Sequence, residues 1–149
     1  MPLKDRLQED WKQALKAKDK FRADTISSAR AAILLVEKNQ GAASVDDDAI
    51  IEILAKEVKQ RREAIIEFEK GNRQDLVDKA NAEIEILLSY LPQQLSEDEI
   101  YEIVRVTATE VGANSMKDMG RLMSAVMEKV KGRAEGKVVS TIVKEHLSK

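Results

Sequence analysis

A chain of 149 residues with net charge −2, 35% charged residues, 3% aromatics and no cysteine excludes several classes at once. Without cysteine there is no disulfide, no thiolate zinc site and no cysteine nucleophile, which fits a reducing compartment. The length suits one domain or two small helical ones, and so much charge with so few aromatics favours helices with solvated faces over a β-sandwich.

Leu3, Leu7, Trp11, Ala14 and Leu15 share one face of a first predicted helix, with Pro2 near its start. Phe21, Ile26, Ala29, Ile33 and Val36 stripe a second, expected to stop at Asn39-Gln40-Gly41. Ser44 is expected to cap a third, with Asp47 three residues on as the capping-box acid. The run Asp46-Asp47-Asp48 lacks the alternating ligands, turn glycine and distal Glu of a calcium loop, so it is assigned to a helix N-terminus. The third stripe is Ile50, Ile53, Leu54, Val58, Ile65 and Phe68, with Gly71 as its left-handed stop. A fourth helix carries Leu76, Val77, Ala80, Ile84, Leu87, Leu88 and Leu91 and is expected to end at Pro92.

Pro92–Ser96 is the candidate hinge, and beyond it the helices shorten. Ser96 and Glu99 form a capping box for a helix bearing Ile100, Ile103, Val104, Ala108 and Val111, which Gly112 ends. Ser115 with Asp118 opens the next, striped by Met119, Leu122, Met123, Val126, Met127 and Val130 and stopped by Gly132. The last holds Val138, Val139, Ile142, Val143 and Leu147. There is no strand alternation and no 20–50-residue repeat. The expected fold is all-α: a four-helix N-terminal domain over residues 1–92, hinged to a three-helix C-terminal module over residues 93–149. The N-terminal stretch has no apolar signal core, and no apolar run nears the ~20 residues that span a bilayer. The expectation is a soluble, cytoplasmic protein without a membrane partner.

Charge is distributed unevenly: residues 1–40 carry +3, 41–92 carry −5, 93–115 carry −4 and 116–149 carry +4. The C-terminal excess gathers around KVKGRAEGK, residues 129–137. This is no phosphate loop of the nucleotide-hydrolysing kind: Gly132 and Gly136 are separated by three residues rather than four, and Val138 replaces the hydroxyl. Lys129 and Lys131 near a helix C-terminus offset the negative end of its dipole. Arg133 and Lys137 have no such explanation, because a cation at a helix N-terminus is unfavourable unless an anion sits there. Gly136 would leave the backbone N–H groups of that turn open to a phosphate. An ordinary basic turn and a backbone-phosphate site both fit this spacing. No aromatic lies nearby to stack on bases, so folded RNA recognised by shape and phosphate is the favoured nucleic acid.

Other candidates are weaker. His146 is the chain's one histidine, and it sits near a helix C-terminus where a positive charge is favourable. No Glu-x-x-His pair exists for a di-iron bundle, and no metal or cofactor is expected. Met116, Met119, Met123 and Met127 are assigned to the core in preference to a partner groove. Arg61 falls on an apolar face between Val58 and Ile65. It calls for an ion pair, with Glu83 or Glu85 the expected partner, or else Lys59, Arg61 and Arg62 form a second basic site.

Several stretches carry a family resemblance. Leu91-Pro92-Gln93-Gln94-Leu95-Ser96-Glu97 resembles the junction stretch of the YqeY-like family, and Gly112-Ala113, Ser115-Met116-Lys117-Asp118-Met119-Gly120-Arg121 and Lys131-Gly132-Arg133-Ala134 resemble its C-terminal pattern. Lys59-Gln60-Arg61 and Asp75-Leu76-Val77 resemble its N-terminal half. Glu135 departs from the family, which often has Asp there, and so weakens the expected helix cap. The family is related to the tail of the B subunit of glutamine-dependent tRNA amidotransferase, which helps hold tRNA away from the chemistry. The resemblance therefore implies tRNA binding at Lys129, Lys131, Gly132, Arg133, Gly136 and Lys137, without catalytic residues, and aminoacyl-tRNA or amidotransferase machinery as partner. A protein-interaction adaptor without RNA affinity is the alternative. Carbon–nitrogen ligase activity with glutamine as amide donor is a third, regarded as inherited from the amidotransferase.

Overall fold

The computed structural model describes residues 1–41 and 43–149, and every regular element among them is a helix. The all-α class expected from the apolar periodicity is therefore correct. The chain divides into two compact units, Met1–Pro92 and Gln93–Lys149. The first holds α1 (Leu3–Lys16), α2 (Lys20–Asn39), α3 (Asp47–Lys70) and α4 (Gln74–Leu88). The second holds α5 (Glu97–Val111), a short 3-10 helix (Met116–Asp118), α6 (Met119–Lys129) and α7 (Gly136–Leu147).

In the first unit α1 packs along α2 and α3 along α4, while α2 also meets α3 and α4. The buried stripe runs through Leu7, Ile26, Ala29, Ile33, Ile50, Leu54, Val58, Ile84 and Leu87. Each large aliphatic there contributes about 1.5–3 kcal/mol by leaving water. The unit's two ends are pinned together. Tyr90 is buried, its hydroxyl donates to Asp10 Oδ2 at 2.5 Å, and the Arg6 guanidinium stacks on its ring at 4.6 Å. Arg6 also donates to the Ser89 carbonyl at 3.1 Å. Burial first, and then the Asp10 carboxylate, push the phenol's pKa up. Glu37 is a nearly buried acid near the end of α2. It accepts from Lys4 Nζ at 2.8 and 2.9 Å and from the Val45 amide at 3.3 Å, and the bond from Lys4 leads in holding its pKa low.

In the second unit the three helices contact one another pairwise around Ile100, Val104, Ala108, Leu122, Val126, Val130, Val139, Ile142, Val143 and Leu147. Ser96 and Glu99 make the expected reciprocal capping box, and Gly112, at φ 68°, ends α5. Met119, Met123 and Met127 pack on this core, whereas Met116 is about half exposed, so the methionine stripe covers three of the four.

Several local expectations need correction. The cap of α3 is Asp46, whose Oδ1 accepts from the Ala49 amide at 2.9 Å, rather than Ser44. Asp47 instead accepts from the Leu3 amide at 3.0 Å. The left-handed residue after α3 is Asn72, at φ 56°, and Gly71 keeps φ −87°. Asparagine tolerates this region because its short polar side chain bonds locally, so the neighbouring glycine was not needed. α4 stops at Leu88, four residues short of Pro92, and its end winds into turns closed by the Ser89, Tyr90 and Leu91 amides. Ser115 opens the 3-10 helix before α6 begins at Met119. Leu15 and Phe21 lie at the edge of their stripes and are exposed.

Candidate nucleic-acid interface

The α6–α7 connection is an elbow built from a tight turn. α6 ends at Lys129, and the Arg133 amide donates to the Val130 carbonyl at 2.8 Å. Gly132 occupies the third position of that turn at φ 73°, which L side chains rarely adopt, so glycine belongs there. The elbow's outward carbonyls are taken up by the segment leading into α5. The Gln94 side-chain amide donates to Gly132 O at 2.8 Å, and the Leu95 amide donates to Arg133 O at 2.9 Å. Arg133 Nε reciprocates, donating to Gln93 O at 3.1 Å. The stretch expected to be a hinge is therefore fastened to the second unit from Gln93 onward.

α7 begins at Gly136 behind Glu135, which occupies the N-cap with an extended backbone but makes no side-chain capping bond to the first turn. A helix leaves its first N–H groups without intrahelical partners, and here the N-cap side chain makes no capping bond to them. Lys137 stands exposed in that turn. A methyl group added at Gly136 would meet only Met127 Cε, at 3.9 Å. The connection is thus donor-rich, with cations at both rims.

The six predicted residues are not equivalent. Lys131, Gly132, Arg133, Gly136 and Lys137 come together at the elbow. Lys129 is committed elsewhere: its Nζ lies 2.7 Å from Glu110 Oε2, at the end of α5. Sequence reasoning did not anticipate Glu110, because the pair joins residues 19 apart on different helices. Arg133 is held by Gln93 through Nε, and its charge also contributes, as the smallest cause, to the low pKa of Glu99. That shift comes first from hydrogen bonds within the Ser96 capping box. The sequence marked Gln93 and Gln94 as part of the hinge and of a family pattern, but not as partners of the elbow.

The second basic cluster is different. Arg61 Nη1 bonds Glu57 Oε1 at 3.2 Å, and its Nε lies 3.5 Å from Glu83 Oε2. Arg61 is 16% exposed, so it bridges α3 to α4 within a carboxylate-rich crevice. Glu57, not Glu85, joins Glu83 as its partner. Lys59 is exposed on the same helix, while Arg62 is half-buried. His146 lies in the last turn of α7. Among the described residues no His, Cys, Asp or Glu side chains gather in a group able to hold a metal, and no helix is long and apolar enough to cross a membrane.

Comparison with known proteins places the chain. Residues 4–147 match the family model described as Yqey-like protein. Among curated relatives, the protein named altered inheritance of mitochondria protein 41, mitochondrial, from Pyrenophora tritici-repentis is 32% identical over 143 residues, covering 94% of this chain and 78% of the relative. Its namesake from Lachancea thermotolerans is 38% identical over 87 residues, 58% of this chain and 46% of the relative. That from Vanderwaltozyma polyspora is 28% identical over 120 residues, 76% and 64% respectively. The chain thus spans only about half the length of the Lachancea relative. These relatives are named as mitochondrial proteins, which overturns the expectation of a cytoplasmic location. The family model matches nearly the whole chain, across both compact units, and the chain belongs to the Yqey-like protein family.

Proposed function

We propose that the chain is a non-catalytic tRNA-binding accessory module whose α6–α7 elbow grips backbone phosphates. One observation carries this reading: α7 starts without a side-chain cap, and a lysine stands exposed in its first turn. By itself Lys137 opposes the positive end of the helix dipole. A phosphate at the turn reverses that balance, since uncapped N–H groups, Lys137, Lys131 and the remaining Arg133 donors all favour an anion. The elbow residues include no aromatic, so recognition falls on backbone and shape, as expected for folded RNA. The resemblance to the amidotransferase tail supports tRNA as the RNA and aminoacyl-tRNA or amidotransferase machinery as its setting. No residue is given a catalytic role.

Lys129 is paired with Glu110, and with about two to three phosphate contacts in all, tRNA affinity should fall on the order of 10–40-fold between 50 and 200 mM salt. Fluorescence anisotropy with labelled tRNA, mitochondrial tRNAs included, measures this. A Lys131→Glu, Lys137→Glu variant should lose binding, and equal binding by that variant ends the proposal. A second reading, a protein-interaction adaptor, is favoured by the adjacent Leu34 and Leu35 on α2, which are 57% and 59% exposed. Partner capture that survives nuclease treatment, with no RNA retained, distinguishes it.

A further inference from the structure

We infer that Gln94 is a positioning residue for phosphate binding: with Gln93 and Leu95 it latches the α6–α7 elbow in its binding shape. This rests on the tRNA-binding reading and deepens it. The turn at Val130–Arg133 directs two consecutive carbonyls, Gly132 O and Arg133 O, away from helical partners, and the latch supplies a donor to each. Two effects follow. The first is electrostatic, because bare carbonyl oxygens beside a phosphate site repel the anion, whereas carbonyls already engaged by N–H donors repel it less. The second is geometric. The Gln94 bond at 2.8 Å fixes the peptide of a left-handed glycine, a residue type with wide conformational freedom. The bond from Arg133 Nε to Gln93 O orients the guanidinium plane and leaves Nη1 and Nη2 for a forked contact with phosphate. A preorganised donor set loses less freedom when its ligand arrives.

The latch also gives the pair of glutamines after Pro92 a physical task. Gln93 acts through its main-chain carbonyl, so its side chain is replaceable. Gln94 acts through its side-chain amide, so it is not. A glutamate at position 94 has the same reach but no donor, and it would set an acceptor against Gly132 O.

The test compares parent, Gln93→Ala, Gln94→Ala and Gln94→Glu proteins in tRNA anisotropy titrations at 10 °C, with circular dichroism confirming that each is folded. The expected result is parent-like binding for Gln93→Ala, weakening of about 3–10-fold for Gln94→Ala, and at least as much for Gln94→Glu. The salt slope of Gln94→Ala should equal that of the parent, because no phosphate contact is removed. As a spectroscopic signature, the Arg133 Nε–H resonance should be protected from exchange in the parent and exposed in both Gln94 variants. Parent-level binding by Gln94→Ala, or weakening that vanishes once all proteins are fully folded, overturns the positioning role and leaves the tRNA reading intact. Absence of tRNA binding by the parent itself overturns both.

Discussion

Three helices end in the same way with three different residues at the critical position, which permits a matched experiment. After α1, Lys18 has φ 58°, and the amides of Asp19 and Lys18 donate to Ala14 O at 2.9 Å and Leu15 O at 3.1 Å. After α3, Asn72 has φ 56°, with Arg73 and Asn72 donating to Phe68 O at 2.9 Å and Glu69 O at 3.1 Å. After α5, Gly112 has φ 68°, with Ala113 and Gly112 donating to Ala108 O at 2.9 Å and Thr109 O at 3.4 Å. The left-handed conformation costs an L-residue about 1–2 kcal/mol, from which glycine's extra freedom in the unfolded chain subtracts about 0.4–1 kcal/mol. Lys18→Gly should therefore stabilise the first unit by about 0.5–1 kcal/mol, and Asn72→Gly should change it by less than about 0.5 kcal/mol. Gly112→Ala should destabilise the second unit by about 1 kcal/mol. That cost is purely conformational, since a Cβ at Gly112 has nothing within 4 Å. Urea unfolding measures all three, with the fluorescence of Trp11, the chain's one tryptophan, reporting the first unit and amide resonances the second. A Lys18→Gly protein no more stable than the parent, or a neutral Gly112→Ala, would refute the assignment of strain to these positions.

Glu110→Gln should release Lys129 to bind phosphate, raising tRNA affinity and steepening the salt slope by about one unit. Lys129→Ala should change affinity less than twofold in the anisotropy assay. Glu37 has its pKa held below the ordinary 4.5 when folded. The unfolded chain therefore takes up this proton at higher pH than the folded one, and the carboxylate's stabilisation is present above 4.5 and lost as pH falls through the lower folded value. The stability gap between parent and Glu37→Gln, from urea midpoints, should narrow over that acid range. Arg61→Met alone should destabilise by about 1–3 kcal/mol in thermal melts, leaving Glu57 and Glu83 facing each other in a partly buried crevice. Adding Glu83→Met should recover most of the loss.

The helices were legible because their signals are local. Apolar spacing located all seven α-helices found among the described residues, and the Ser96–Glu99 box and Gly112 stop lie within a few residues of the elements they bound. Two of the misassigned ends, around α3, have one cause. Several side chains near a helix end can do the same job, and Asp46 outcompeted Ser44 as Asn72 outcompeted Gly71. The elbow was legible only as a cluster of charge. The commitment of Lys129 depends on Glu110, and what holds the turn depends on Gln94, respectively 19 and 38 residues from their partners. No period or short motif encodes such pairings. Arg61 was legible as an anomaly, a charge on an apolar stripe, because physics demanded a partner before the structure supplied one.

The contact between Tyr90 and Asp10 bears on how this chain can be cut and how it is made. A fragment trimmed at Leu88, where the last helix of the first unit stops, would discard both groups that grip α1 from the far end, the Ser89 carbonyl and the Tyr90 side chain. On the ribosome, likewise, the opening helix can coil and meet its neighbour early, but its anchorage waits for the ninetieth residue to emerge.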